Sequence, residues 1–190
     1  MITQSLIDTI ITFASKQSEL YEVPSLFQLN LSKEKGQVLA KKLSADTNIV
    51  LLGTLLMDCM LGPTFKARKM QEHVHMSVSR ADEILSKNPD LSPEEKENIL
   101  KCVMEHHGAK RFFSLESEIC SNADCYRFAS VAGFLGSLAY GPNLPFKKRI
   151  KLLHDKADEK WNLITLSAVK KELTPQYKAI KNLLNLIQKT

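Results

Sequence analysis

The stretch SPEEKENILKCVMEHHG, from Ser92 to Gly108, carries the clearest helix signals in the chain. Ser92 can cap the helix, Pro93 suits its first turn, and Glu95 can close a capping box. Gly108 is a typical stop residue. The apolar residues between them recur on one helical face: Ile99, Leu100 and Val103. The stretch therefore predicts a helix that ends at two adjacent histidines, His106 and His107.

Helical patterns continue on both sides of this stretch, and no alternating strand pattern of useful length occurs. The predicted helices cover about 5–20, a segment capped by Ser32, a segment capped by Asp46, about 71–86, a segment opened by Ser114, 129–140, 147–156, and a last helix from Pro175 to near Gln188. Gly133 and Gly136 suggest close helix packing within 129–140. We therefore predict an all-α, single-domain helical bundle over residues 1–190, which is a length that suits one core.

The composition is that of an ordinary soluble protein, with 44% hydrophobic and 25% charged residues. The longest apolar stretch, 49–57, is too short to span a bilayer, and the first residues lack the basic segment of a secretory signal. We therefore expect a cytoplasmic protein without membrane association. The four cysteines have no zinc-ribbon spacing, so free buried thiols are favoured over disulfides.

The C-terminal part is basic. From Lys147 onward there are eleven Lys or Arg against four Asp or Glu, whereas residues 1–146 carry fifteen against seventeen. Such a face can attract nucleic acid or an acidic partner. We favour a solvated helix face, because only Trp161 and Tyr177 offer stacking aromatics there. Nucleic acid is therefore not the expected partner.

Histidines and carboxylates form the most informative pattern. The chain has five histidines, and four of them lie in two clusters, His73 with His75 and His106 with His107. Asp58 ends an apolar helix, where a carboxylate is costly unless it is paired or bound to a metal. Asp124 is similarly placed. Each residue alone is better explained as a cap, a surface group or a partner of the helix dipole, but together they indicate a metal site.

The order of these residues resembles the HD-domain superfamily of metal-dependent phosphohydrolases. Leu55-Leu-Met-Asp58 stands where that family has Leu-Leu-His-Asp, and the family's later histidine and Ala-Asp positions match His106-His107 and Ala123-Asp124. The family's helix-leading histidine matches His73 better than His75. With His73, small and apolar residues fall at the family's positions: Ser77, Ala81 and Leu85. The resemblance covers about 32–134, the predicted motif core, and leaves about 145–190 as a C-terminal helical extension.

Two of the family's histidines are missing from this chain. Met57 replaces the histidine of the His-Asp pair, and no histidine occurs near Ser32, where the family's first one is expected. The resemblance then implies that one of two metal subsites keeps only carboxylates. The other subsite retains Asp58, His73 and His106, with His107 or Asp124 completing or flanking it.

The resemblance also implies a reaction, in which Asp58 is the catalytic carboxylate that holds the metal. The expected cofactor is a divalent cation (Zn, Mn, Fe or Mg), present as one ion or absent, and the expected substrate is a nucleotide or another small phosphorylated molecule. Five basic residues are candidates to bind phosphate: Lys66, Arg68, Lys69, Lys110 and Arg111. One alternative is an inactive protein that binds a phosphorylated ligand or a protein partner. Another is a helical interaction protein with a basic C-terminal face. The sequence does not predict the oligomeric state.

Overall fold

The computed structural model describes residues 1–141 and 143–187, and within these ranges the chain is helical and contains no strand. The helices are α1 (Gln4–Tyr21), α2 (Leu26–Leu43), α3 (Thr47–Leu56), α4 (Leu61–Lys66), α5 (His73–Leu85), α6 (Pro93–Glu105), α7 (Leu115–Ala129), α8 (Val131–Tyr140), α9 (Phe146–Leu163) and α10 (Ser167–Ile187). A short 3-10 helix, Met70–Glu72, precedes α5. The prediction of an all-α single-domain fold is confirmed.

Side-chain caps decide where most of the helices begin. The caps predicted at Asp46, Ser92 and Ser114 are present, and the latter two form capping boxes. The cap predicted at Ser32 was wrong. Ser25 caps α2 seven residues earlier, because Gln28 completes a capping box with it. Ser32 lies buried inside α2, where its hydroxyl donates to the carbonyl oxygen of Gln28.

The last helix also begins earlier than predicted. Helix α10 starts at Ser167 and contains Pro175 in its interior. A proline there removes one hydrogen bond, the one that the carbonyl of Lys171 would otherwise accept. Lys171 is exposed, so water can bind that carbonyl. The predicted end near Gln188 lies outside the described residues.

Helix α7 lies at the centre of the bundle and packs against α2, α3, α6, α8, α9 and α10. Glycines permit two of the closest approaches, as predicted. A Cβ at Gly133 would lie 2.0 Å from the carbonyl oxygen of Tyr126, and one at Gly136 would lie 2.0 Å from Phe27. The main core involves α1–α3, α5–α7, the first part of α10 and the segment that joins α9 to α10. A second apolar cluster joins α8, α9 and α10. The four cysteines are free and buried.

One segment of the described chain, Thr47–Lys66, has the length and mean hydropathy of a membrane span. It is longer than the apolar stretch seen in the sequence because the helical path continues beyond Asp58 into α4. The helix packing buries 67% of its apolar window, as in a core helix. Cytoplasmic location remains a prediction.

Candidate metal centre

The ends of three helices bring four potential metal ligands together. Asp58 lies in the turn after α3, His73 is the first residue of α5, and His106 and His107 follow α6. One ligand atom from each of the four lies within 4.8 Å of all the others. These are the groups that the sequence predicted to hold a divalent cation, and their arrangement fits one.

The carboxylate oxygen Oδ1 of Asp58 is the centre of this group. It lies 3.4 Å from Nε2 of His106 and 3.5 Å from Nε2 of His73. Oδ1 of Asp58 and Nε2 of His106 are both buried, and neither has a hydrogen-bond partner among the described residues. Leaving two such atoms unpaired in the interior is costly. A divalent cation between them would satisfy both.

Backbone carbonyls orient two of the imidazoles. Nδ1 of His73 lies 2.6 Å from the carbonyl oxygen of Met70, and Nδ1 of His106 lies 2.7 Å from that of Val103. A carbonyl oxygen only accepts hydrogen bonds, so Nδ1 carries the proton in both rings. Nε2 therefore carries the lone pair in both rings, which is the arrangement that neutral histidine ligands adopt at metal sites.

His107 is placed differently from the other two histidines. Its Nε2 lies 3.0 Å from Nε2 of His73, and its Nδ1 lies 3.0 Å from Nζ of Lys160. The ammonium group can only donate, so Nδ1 accepts and Nε2 carries the proton. His107 must change tautomer before Nε2 can bind a cation. Asp58, His73 and His106 therefore form the better prepared set, with His107 beside them.

Asp124 is held by protein cations and lies outside this four-residue group. Nη1 of Arg127 donates both to Oδ1 of Asp124, at 2.8 Å, and to Oδ2 of Asp58. Nζ of Lys160 lies 2.5 Å from Oδ2 of Asp124. Asp124 therefore adjoins the centre through Arg127. The sequence predicted that it would either complete the ligand set or flank it, and its position is a flanking one.

The two aspartates and two cations are all buried, and each cation stabilises the charge of its partner. Burial alone would raise the pKa of Asp58, but the guanidinium of Arg127 holds that pKa well below its ordinary value. Burial likewise opposes the charge of Asp124, while Lys160 and Arg127 lower its pKa. Burial disfavours the two cations as well, yet the carboxylates raise the pKa of both. All four groups are therefore charged at neutral pH.

A cavity of about 250 Å³ opens beside this cluster. Much of its wall is apolar and consists of side chains from several helices: Leu61, Phe65, Met70, Phe128, Leu152 and Leu153. Asp58, His73, His107 and Asp124 line its polar end. Helix α9 contributes a continuous stripe, from Arg149 through Lys156 to Lys160, because these positions share one helical face.

The five basic residues proposed to bind phosphate lie elsewhere. Lys66, Arg68, Lys69, Lys110 and Arg111 are exposed, and none of them is among the described residues that line the cavity. Gly62 and Thr64 of α4 are buried, whereas Lys66 at the end of this helix is exposed, as are Arg68 and Lys69, which follow it. The cations that line the cavity are Arg127, Arg149, Lys156 and Lys160.

Sequence reasoning did not single out Arg127. Its signal was spacing, because it follows Asp124 by three residues and so lies on the same face of a helix. Three further residues lie outside the cluster. His75 is exposed on α5, while Met57 and Ser32 are buried and line no part of the cavity.

Among the solved structures with a similar fold, two match almost the whole chain. One is a protein from Lactobacillus plantarum, with a TM-score of 0.73 and 14% identity, covering 99% of this chain and 97% of that chain. The other is an HD-superfamily hydrolase from Bacillus thuringiensis, with a TM-score of 0.64 and 16% identity, covering 98% of this chain and 96% of that chain. The chain therefore has an HD-like fold.

No protein-family model and no curated protein matches the sequence of this chain. At 14–16% identity the two structures establish the fold alone. The reaction has to be argued from the residues around Asp58.

Proposed function

We propose that this chain is a metal-dependent phosphohydrolase that uses one divalent cation, held by Asp58, His73 and His106, to act on a small phosphorylated molecule. The observation that carries the proposal is the pair of buried, unpartnered ligand atoms, Oδ1 of Asp58 and Nε2 of His106. Two imidazoles and one carboxylate favour Zn, Mn or Fe over Mg, which prefers oxygen ligands.

The protein residues have distinct roles in this proposal. A divalent cation at the centre would polarise a phosphoryl oxygen and lower the pKa of a water molecule. Asp58, His73 and His106 would hold the cation, while Arg127 holds Oδ2 of Asp58 in place. Arg127 and Lys160 add positive charge at the polar end of the cavity, where an anionic phosphate would bind. The apolar wall would contact the remainder of the substrate and exclude water.

The cavity restricts the class of substrate. About 250 Å³ suits a small molecule, of the size of a nucleotide fragment or another simple phosphate ester. By its resemblance to the HD-domain family, the chain has Met57 in place of one histidine and none near Ser32, so this centre would have fewer ligands than a two-metal site. We expect weaker hydrolysis than a two-cation clamp would support.

A second candidate function is binding of a phosphorylated ligand without turnover. The observation that favours it is that Arg127 occupies Oδ2 of Asp58, the oxygen through which an aspartate would bridge a second cation. Release of phosphate from a panel of nucleotides and simple phosphomonoesters separates the two functions, because the second predicts binding without release.

The test of the metal site compares protein purified without chelators as wild type, His106→Ala and His75→Ala. His75 provides a matched control, since it is an exposed histidine on the neighbouring helix. We expect about one metal per chain in the wild type and in His75→Ala. In His106→Ala the affinity for the metal should fall by more than roughly 10–100-fold, which is the typical loss when a residue that only hydrogen-bonds to a metal ligand is removed. Equal metal content in all three proteins, or a metal-free wild type under metal-replete conditions, would contradict the proposal.

A further inference from the structure

Arg127 is a buried cation that lies between two buried carboxylates. Its Nη1 donates to Oδ2 of Asp58 and to Oδ1 of Asp124, and its side chain is 4% exposed. Lys160, from the opposite helix α9, binds Oδ2 of Asp124. A single arginine therefore connects the predicted metal ligand Asp58 to an aspartate that was itself a candidate ligand.

These contacts leave one carboxylate oxygen for a metal. The two aspartates offer four oxygens, of which Arg127 holds two and Lys160 holds one. Within the described residues, the remaining oxygen, Oδ1 of Asp58, has no hydrogen-bond partner and faces the two imidazoles. A second cation would compete with Arg127 or Lys160 for the other three carboxylate oxygens.

The charges lead to the same conclusion. Asp58 and Asp124 carry two negative charges, and Arg127 and Lys160 carry two positive charges, so the buried quartet is neutral before any metal binds. One divalent cation gives the cluster a charge of two plus, which matches a phosphate dianion. A second divalent cation would add two more positive charges in a region of low dielectric without any new negative group, which is strongly unfavourable.

Arg127 also has hydrogen-bonding capacity that the protein does not use. Its Nε is buried and has no hydrogen-bond partner in the described part of the chain, and the side chain lines the cavity. An arginine with an unsatisfied donor beside a metal cluster is suited to an oxyanion, because its planar fork matches phosphate oxygens.

We propose that Arg127, supported by Lys160, is a built-in cation that limits the centre to one divalent ion and binds an oxygen of the phosphorylated ligand. This inference rests on the proposed function, because it needs a metal at Asp58. In this arrangement the guanidinium of Arg127 supplies positive charge that a second metal ion would otherwise supply.

The experiment measures Mn²⁺ and inorganic phosphate binding to wild type, Arg127→Gln and Lys151→Gln. Lys151 is the matched control, since it is an exposed cation of α9 that pairs with Asp155 and is not among the described residues that line the cavity. Mn²⁺ stoichiometry is followed by electron paramagnetic resonance, where two ions that share a carboxylate give a spin-coupled signal. Phosphate affinity is measured by calorimetry at one equivalent of Mn²⁺.

We expect one uncoupled Mn²⁺ and the same phosphate affinity in the wild type and in Lys151→Gln. In Arg127→Gln we expect a second, weaker Mn²⁺ with a coupled signal, and a phosphate affinity lowered by roughly 10–100-fold, the loss of one charge-assisted hydrogen bond. One Mn²⁺ and unchanged phosphate affinity in Arg127→Gln would refute the role of Arg127 and leave the proposed function intact. A wild type that binds no divalent ion would refute both.

The wild type alone provides a test that does not depend on how the variant folds. A coupled pair of Mn²⁺ ions in the wild-type protein would overturn the inference, whereas a single uncoupled ion at saturating Mn²⁺ would support it.

Discussion

Asn122 is a fully buried residue of α7 that uses both ends of its amide group on other parts of the chain. Its Oδ1 accepts hydrogen bonds from the backbone N–H groups of Thr165 and Leu166, and its Nδ2 donates to the hydroxyl of Thr165 and to the carbonyl oxygen of Glu118. These bonds tie α7 to the connection that follows α9. Asn122 therefore helps to position Lys160 against Asp124, which lies two residues further along α7.

Replacing Asn122 by alanine should leave two backbone donors unpaired. At about 1–3 kcal/mol for each unsatisfied group, we expect the free energy of unfolding to fall by roughly 2–6 kcal/mol. Asn30→Ala is the matched control, because Asn30 is exposed and bonds only to Lys33; it should change stability by no more than about 0.5 kcal/mol. Urea unfolding of the two variants checks the prediction. Equal stabilities would show that water satisfies the freed groups.

At the scale of helices, α9 forms part of the cavity wall, and α10 packs against α9 and supports it. Apolar residues of both helices meet in the second cluster: Ile150, Leu153, Ala157, Ile180 and Leu184. Asp158 links the two helices further, because it accepts hydrogen bonds from the hydroxyl of Tyr177 and from Lys181. This packing keeps α10 continuous through Pro175 although proline disfavours a helix interior.

Two prolines in this protein therefore stand in opposite helical contexts. Pro175 is inside α10, while Pro93 occupies the first turn of α6, where its missing N–H costs nothing. We expect Pro175→Ala to stabilise the protein, by up to the roughly 3 kcal/mol difference in helix propensity. Pro93→Ala should leave stability unchanged or slightly lower. Chemical denaturation measures both, and a destabilised Pro175→Ala would mean that the packing of α10 requires the proline.

The features that could be predicted from the sequence are those whose partners lie close together along the chain. Caps such as Ser92 with Glu95 were predictable, because both partners lie within one turn. The histidines were predictable as a group because they stand at helix ends in a recognisable order. The ion pairs of Arg127 with Asp58 and of Lys160 with Asp124 were not, since they join residues 69 and 36 positions apart and depend on how α7 and α9 pack.

For the whole molecule, the metal centre lies where three parts of the main core meet. The turn after α3, the start of α5 and the end of α6 each contribute a ligand, and all three helices pack in one core. Two buried polar atoms at this junction, Oδ1 of Asp58 and Nε2 of His106, lack hydrogen-bond partners in the described chain. A bound cation would therefore act as a cross-link between three helices as well as a cofactor.

This arrangement leads to a prediction about the stability of the whole fold. A cation that binds only the folded chain adds about 2.7 kcal/mol at a free concentration one hundred times its dissociation constant. For a domain of this size we therefore expect Zn²⁺ or Mn²⁺ to raise the Tm by roughly 5–10 °C. EDTA should reverse the increase.

The variants decide whether that increase comes from this site. His73→Ala and His106→Ala should lose most of the shift, because each removes a ligand and leaves the carboxylate of Asp58 less well matched to the ion. His75→Ala should keep the full shift, since His75 is an exposed residue of α5 and takes no part in the cluster. Scanning calorimetry at matched free metal concentrations measures all four proteins. The same shift in all of them would assign the stabilisation to surface binding and remove the metal from the junction of α3, α5 and α6.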